Sequence, residues 1–520
     1  MTSQPPVAET AQGKLRGARV DGIAVFKGVP YGAPTGGDLR FQPPAKPVPW
    51  SGVRDALAFG NGCHQVSPEP TQGTPAQNVL LAAFAPEASP QQGEDCLVLN
   101  LWTPAVGDHG KRPVMVWFHG GFFTAGSGSW PVSDGTRLCK NGDVVVITVN
   151  HRLNVFGFLD LAEVGGEAFA QSGNVGMLDL VAALGWVRDN IAAFGGDPGN
   201  VTVFGESGGG AKVCALLAMP SAKGLFHRAI IQSGTFVRAN ERKNSWPLAQ
   251  ALMAELGLRR VAIGELQKVD PKALLKASIA AEVKAGRPYR LDGSMGSWAP
   301  VIDGVSLPRH PFDPDAPGES ADVPIMIGTT KDELTLFLTT LPSFGTMDEA
   351  EAAATFERFT GEPVEGALAL YGSLYPDESP SYRLVHLLTD MIARYPSTVI
   401  AERKARQAGA PAYHYVLGWE TPVLGGVLRA MHALDVPLVF DNAALAPSLL
   451  GEGPDVHALA RTMSGVWLAF ARHGAPNTAE IPNWPAYSPD RRATMVFDVQ
   501  SKVVDHYDED ARAYWAKRRA

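Results

Sequence analysis

An α/β architecture, with a large and mostly parallel central sheet and helices on both of its faces, is what this chain predicts, and three observations predict it. Runs such as residues 113–118 (P-V-M-V-W-F) and 143–149 (D-V-V-V-I-T-V) are apolar almost throughout instead of alternating, which is the pattern of strands covered on both faces. Those runs alternate along the sequence with stretches of helical spacing, as strand–helix–strand units require. With 520 residues, 45% of them hydrophobic and 19% charged, the protein is able to bury a sizeable core without being several independent domains.

Taken in order, residues 13–50 carry short β-type runs broken by turns, among them A-V-F-K-G-V-P-Y-G and the proline-dense R-F-Q-P-P, and predict a small N-terminal antiparallel hairpin region. Between Cys63 and Cys96 lies a Pro/Gln/Ala/Gly-rich stretch with little periodicity, predicting a long surface loop that a Cys63–Cys96 bond would pin at its base. Residues 96–102 alternate partly as a strand, and 113–118 and 143–149 are buried-strand candidates. Residues 178–194 place Leu180, Leu184, Val187 and Ile191 on one helical face. A strand at 201–204, a helix from about 211 to 218 and a strand at 227–232 follow. Residues 246–285 read as helical, 323–328 as another buried strand, 347–406 as helix-rich, 413–417 as a strand and 458–472 as a long amphipathic helix. Neither repeats nor low-complexity linkers interrupt this order. The expectation is one domain over 1–520, with helical insertions at about 240–320 and 345–410.

Composition narrows the function classes. The net charge is −8 and there is no basic run, which argues against nucleic acid as a partner. No stretch stays apolar for the roughly 18 residues that a membrane span needs, and residues 1–12 are polar and proline-bearing. A cytoplasmic, monomeric protein is expected, or a secreted one had a signal segment been removed. The four cysteines, Cys63, Cys96, Cys139 and Cys214, lack the paired short spacing of a zinc site, so no metal is expected; no cofactor is expected either.

One stretch carries chemistry. In V-T-V-F-G-E-S-G-G-G, residues 201–210, Ser207 sits between Gly205 and Gly209 where a strand meets a helix, the spacing of a nucleophile on a sharp turn. A serine hydroxyl is a weak nucleophile near neutral pH and needs a base, an acid to orient the base, and donors for the oxyanion. Gly208, at the start of the helix, offers one donor, and His119-Gly120-Gly121-Phe122 after a buried strand offers others. For the acid, Asp332 and Glu333 both follow the strand at 323–328. For the base, sequence order restricts the choice to His386, His414, His432, His457, His473 and His506, of which His432 lies in a loop-like segment before an apolar run.

The sequence resembles the type-B carboxylesterases, the cholinesterase-like branch of the α/β-hydrolases, over nearly its full length, and the bacterial p-nitrobenzyl-esterase-like subgroup most. The resemblance rests on F-K-G-V-P-Y-G at 26–32, L-R-F-Q-P-P at 39–44, E-D-C-L-V-L-N at 94–100, H-G-G-F-F at 119–123, G-N-V-G-M-L-D at 173–179, F-G-G-D-P-G-N-V-T-V-F-G-E-S-G-G at 194–209, F-H-R-A-I-I-Q-S-G at 226–234, K-D-E at 331–333 and H-A-L-D-V-P-L-V-F at 432–440. It implies an α/β-hydrolase fold, Ser207 with Glu333 and His432 as the triad, and an oxyanion hole from Gly121, Phe122 and Gly208. It further implies that Glu206 supports the site electrostatically, that the Ser233 hydroxyl supports the acid–histidine pair, and that Arg40 pairs with Glu94 and Arg152 with Asp179. It also places Cys63 near Cys96. Two departures stand out: Phe122 where the family usually has Gly or Ala, and Leu334 where it has Gly, a strain on the turn if φ there is positive.

The function implied is hydrolysis of small or linear acyl esters through an acyl-enzyme, with a small ester as the partner. A non-catalytic adhesion-type module of the same fold is disfavoured because serine, acid and histidine are all present. A choline-ester hydrolase is disfavoured because no tryptophan lies between Cys63 and Cys96 to hold a quaternary ammonium.

Overall fold

Eleven strands form the central sheet of the computed structural model, which describes residues 4–66, 74–84, 91–258, 263–285, 298–361, 363–364 and 366–519. In sequence order they are β1 (Ala18–Val20), β2 (Ile23–Pro30), β3 (Val98–Thr103), β4 (Arg112–Phe118), β5 (Val145–Val149), β6 (Gly196–Glu206), β7 (Arg228–Gln232), β8 (Ile325–Thr330), β9 (Ala412–Leu417), β10 (Thr494–Phe497) and β11 (Lys502–Val504). Across the sheet the order is β11-β10-β9-β8-β7-β6-β4-β5-β3-β2-β1. Neighbours from β5 through β4 to β10 pair in parallel. The margins, β1–β2–β3–β5 and β10–β11, are antiparallel. The expected α/β-hydrolase sheet is therefore present.

The continuous apolar runs have the meaning predicted for them. On β4, Val114, Val116 and Phe118 enter one core with Ile147 and Val203, whereas Met115 and Trp117 enter another with Val146 and Phe204. Both faces are covered, so from Val114 to Phe118 no position on the strand is free to be polar. Burying each such side chain contributes about 1.5–3 kcal/mol. The helix predicted at 178–194 is α1 (Val175–Asn190), continued by a 3₁₀ turn at Ile191–Phe194 and closed by Gly195 at φ 73°. The one predicted at 458–472 is longer, Pro454–His473, with proline in its first turn and Gly474 at φ 75° after its last.

Other expectations are corrected. The stretch between Cys63 and Cys96 is not merely loop: it contains a helix, Pro75–Phe84, whose Phe84 ring meets Trp130 edge-on at 5.2 Å, while residues 67–73 and 85–90 lie outside the described residues. Ala76, Val79, Leu80, Ala83 and Phe84 turn one side of it to the core at helical spacing. Cys63 and Cys96 are both buried and free, and a hydrogen bond between the two thiols, with burial, pushes the Cys96 thiol well up. The region read as one helical run at 246–285 is divided into Arg242–Glu255, Ile263–Leu266 and Pro271–Ala285. Residues 259–262 and 286–297 of that insertion lie outside the described residues. The helix-rich region expected at 347–406 holds Glu349–Thr360, Ala367–Leu374, Pro380–Thr389 and Tyr395–Arg406. Among the described residues no helix is long and apolar enough to cross a membrane.

Two ion pairs, one partly and one fully buried, fix the N-terminal region and the ends of the strands, as the resemblance implied. Arg40 grips Glu94 through Nε and Nη2, both at 2.7 Å. Arg152 grips Asp179 through Nε at 2.8 Å and Nη2 at 2.6 Å, and its own backbone N–H donates to the same carboxylate at 3.0 Å. Such two-pronged contacts are the stronger kind of ion pair.

Candidate active site

Ser207 stands between β6 and α2 (Gly208–Leu217), with φ 55° and ψ −124°. That left-handed conformation costs a non-glycine residue about 1–3 kcal/mol. It persists because both of its backbone groups are held: the N–H donates to the Gln232 carbonyl on β7 at 2.8 Å, and the carbonyl accepts from Ala211 N–H at 3.0 Å. The glycines are steric necessities. A Cβ on Gly205 would meet the Gly209 backbone, and one on Gly209 would overlap the Phe118 carbonyl. Two further glycines were not anticipated on these grounds: a Cβ on Gly208 would collide with the Phe122 backbone, and one on Gly234 with the Ser207 carbonyl. The helix begins at Gly208, three residues earlier than expected, so Ser207 is its N-cap and the helix dipole meets the site directly.

The loop after β4 runs through His119, Gly120, Gly121 and Phe122, with Gly121 at φ 83° and Phe122 at φ 54°. The clash just described shows how near it lies: the Phe122 backbone packs against Gly208, while Gly120 packs against the Glu206 carboxylate and Ser207 Cβ. The three N–H groups implied for the oxyanion hole, those of Gly121, Phe122 and Gly208, thus belong to two segments in direct contact.

Of the candidate acids and histidines, Glu333 and His432 meet. His432 Nδ1 lies 2.5 Å from Glu333 Oε2, and Glu333 Oε1 accepts the Thr330 N–H at 2.7 Å, which anchors the carboxylate at the end of β8. Asp332 turns the other way, toward His386 Nδ1 at 3.7 Å. His414 is held between Ser397 and Thr494, His386 stacks on Tyr375, and His506 lies near Glu509. Leu334 has φ −84°, so the strain considered for it does not arise.

The second ring nitrogen of His432, Nε2, lies 3.2 Å from Glu206 Oε1. Burial pushes the Glu206 carboxyl up to about 8, against the pull of His432 and Lys212. For His432 burial acts downward, but Glu206 and Glu333 outweigh it and carry the imidazole up to about 9. Ser233 departs from its expected role: its hydroxyl is buried and has no hydrogen-bond partner among the described residues, so the bond expected toward the acid–histidine pair is not formed there.

Ser207 and His432 open into a common cavity of about 170 Å³, walled by Phe122, Leu334, Phe337 and Ile392 and bearing Thr235 as a polar lining residue.

The model of the Carboxylesterase family matches residues 4–515. This protein belongs to that family. It is 37% identical to the para-nitrobenzyl esterase of Bacillus subtilis strain 168 across 98% of both sequences, and 33% identical to the phenmedipham hydrolase of Pseudarthrobacter oxydans across 94% of both. Its fold superposes on the crystal structure of Geobacillus stearothermophilus carboxylesterase EST55 at pH 6.2 with a TM-score of 0.84 and 40% identity, over 98% of this protein and 99% of that one. The resemblance read from the sequence is thereby established, and the protein is a carboxylic ester hydrolase.

Sequence reasoning missed a set of residues that brace the site of this carboxylesterase. Asp435 accepts from Gln232 Nε2 and from Tyr415 OH, both at 3.0 Å, and Trp467 Nε1 donates to Gln232 Oε1 at 3.0 Å. This buried network ties the His432 segment to β7 and β9. The four residues come from four separate stretches of sequence, and no spacing links them.

Proposed function

We propose that this carboxylesterase cleaves its esters with Ser207 as nucleophile, His432 as base and Glu333 as the acid that orients the base. The observation carrying this reading is the 2.5 Å contact of His432 Nδ1 with Glu333, above a cavity lined by both His432 and the strained Ser207. With Nδ1–H engaged by Glu333, the neutral ring presents a lone pair on Nε2. Ser207 Oγ bonds to the ester carbonyl carbon as Nε2 takes its proton. The carbonyl oxygen becomes an oxyanion, bound by the N–H groups of Gly121, Phe122 and Gly208. When the tetrahedral centre collapses, the carbon–alkoxy bond breaks and the alcohol departs with the proton from Nε2. Water then repeats the sequence on the acyl-serine: it gives a proton to Nε2, the bond to Oγ breaks, and the carboxylic acid leaves as Ser207 regains its hydrogen.

The substrates we infer are small or linear acyl esters without charge. A cavity of about 170 Å³ walled largely by aromatic and aliphatic side chains supports this, being below the roughly 300–1,000 Å³ of drug-sized sites. Glu206 acts on the same site by competing for Nε2. We also read the whole protein as one catalytic unit carrying two helical insertions, in keeping with a family match that spans nearly all of it.

The deciding experiment is a panel of p-nitrophenyl esters of graded acyl length, with Ser207→Ala, His432→Ala and Glu333→Ala beside the parent enzyme. Ser207→Ala and His432→Ala should each lose activity by several orders of magnitude, and the double variant should be little worse than either alone, because the residues act as a unit. An organophosphate should add its mass to the peptide containing Ser207. Turnover surviving in Ser207→Ala would sink the assignment.

A further inference from the structure

Lys212 is a buried ionisable group for which the hydrolytic steps have no use. It sits on α2, whose other residues near it, Ala211, Val213, Cys214 and Ala215, are small or apolar, and it is fully buried with them. Packing alone asks for nothing charged at this position, and an ammonium removed from water is costly unless it is well paired. Its Nζ donates to the backbone carbonyl oxygen of His119 at 2.9 Å and lies 5.9 Å from the centre of the Phe123 ring. Those two residues flank Gly120-Gly121-Phe122. One side chain rooted in the nucleophile's helix therefore holds one end of the loop that carries two of the proposed oxyanion donors and lies near the ring at its other end.

The loop needs such a tie. It contains two glycines, which leave the backbone free to move, and Phe122 stands at positive φ, a conformation that a non-glycine residue keeps only where the surroundings impose it. The groups facing Lys212 are few. Glu206 pulls on it electrostatically, and His119 and His151, stacked at 5.1 Å, are both kept well down by burial first and by Lys212 next. Their Nδ1 atoms lie against the carbonyls of Gly120 and Arg152, at 2.9 Å and 2.7 Å. Burial brings the Lys212 amine itself down to about 7. Protonated or neutral, it retains N–H donors for the His119 carbonyl.

We propose that Lys212 is a positioning residue for ester hydrolysis: it holds the His119–Phe123 loop so that the N–H groups of Gly121 and Phe122 converge with that of Gly208 on the oxyanion. The proposal rests on the reading of Ser207 as nucleophile. Because those donors gain their strength only when the carbonyl oxygen carries charge, losing their alignment should weaken the transition state and leave ground-state binding nearly untouched.

The test uses the full-length protein with Lys212→Met, which keeps length without a donor, and Lys212→Ser, which cannot reach His119. Steady-state constants are measured on p-nitrophenyl butyrate. Affinities are measured for an alkyl trifluoromethyl ketone, which adds to a serine to give an oxyanion, and for the methyl ketone of the same alkyl length, which stays a ground-state mimic. We expect kcat to fall about 10²-fold, on the scale of losing one oxyanion donor, with KM moving less than about threefold on the view that ground-state binding is spared. The trifluoromethyl ketone should weaken by a matching factor while the methyl ketone holds. A folded Lys212→Met enzyme with kcat and trifluoromethyl ketone affinity within about twofold of the parent overturns the proposal, as does an equal loss for both ketones. Should Lys212→Met not fold, the same two ratios in Lys212→Ser decide. Organophosphate labelling of the parent enzyme keeps the two readings apart: failure to label Ser207 removes the nucleophile assignment, whereas normal labelling with unaffected Lys212 variants removes only this inference.

Discussion

Glu206 Oε1 and Glu333 Oε2 lie on opposite sides of the His432 ring, at 3.2 Å from Nε2 and 2.5 Å from Nδ1. Nε2 is the atom that takes the Ser207 proton in the proposed mechanism, so Glu206 competes for it. The sign of the effect on pH dependence follows. A folded-state pKa above the ordinary imidazole value of 6.5, up to about 9, keeps the base protonated until the pH rises through it. The acid limb of kcat/KM should therefore stand above 6.5 in the parent enzyme and move toward it in Glu206→Gln, where no anion can form beside Nε2. Profiles from pH 5.5 to about 10 check this; coincident acid limbs would mean that Glu206 does not couple to the base.

Arg152 and Asp179 are 2% and 0% exposed and joined at two points. Removing one partner strands a buried charge, so Asp179→Asn should cost about 3–5 kcal/mol in chemical denaturation. Replacing both by apolar residues of similar volume should cost less than that single change. A double variant less stable than the single one would contradict this account, in which the penalty comes from the unpaired guanidinium.

Two glycines make opposite predictions. A methyl at Gly234 would strike the Ser207 carbonyl, so Gly234→Ala should displace the serine and cut kcat at least tenfold, if the protein folds, since misplacement of about 1 Å at a reacting group costs that much or more. Gly185, inside α1, has nothing within 4 Å of where a Cβ would go, and its φ is not positive. Gly185→Ala should raise stability by up to about 1 kcal/mol through helix propensity and leave kcat unmoved. Thermal melts and kinetics on both variants separate steric demand from mere composition.

Legibility in the sequence followed the range of the physics involved. Continuous apolar runs announced β4 and β5, because a strand buried on both faces has no other composition available, and the Ser207 turn was readable because its glycines are demanded within a few residues of one another. Residue chemistry alone left Asp332 beside Glu333 and six histidines as candidates; the family resemblance chose among them, and the coordinates show the chosen pair in contact. What stayed illegible was long-range. Lys212 reaches His119 across 93 positions, and Gln232 reaches Asp435 across 203, so no local pattern marks either contact. The helix Pro75–Phe84 was missed although Ala76, Val79, Leu80, Ala83 and Phe84 keep a helical period, because only 10 residues carry it inside a Pro/Gln/Ala/Gly-rich stretch.

Phe122 lies in the loop proposed to bind the oxyanion, at one of the two positions where the sequence was read as departing from the family pattern, and its placement permits a direct test. It stands at φ 54°, is 44% exposed although large and apolar, and lines the same cavity as Ser207, with Leu334, Phe337 and Ile392 on the other walls. A ring held there, beside the carbonyl carbon under attack, fills space that a branched acyl group would need. The parent enzyme should therefore prefer acetate and butyrate esters to pivalate or benzoate esters of the same alcohol. Phe122→Gly removes the ring, keeps the N–H offered to the oxyanion, and places at a positive φ the residue that tolerates it best. The ratio of kcat/KM for pivalate over acetate should rise at least tenfold, on the scale of the roughly 1–3 kcal/mol by which one methylene-sized feature shifts discrimination. Activity on acetate should stay within about tenfold, because the donor survives the change. The check is kcat/KM for the p-nitrophenyl acetate, butyrate and pivalate series on both enzymes. An unmoved pivalate-to-acetate ratio would mean that bound acyl groups never reach the ring, and Phe122 would then have no part in selectivity.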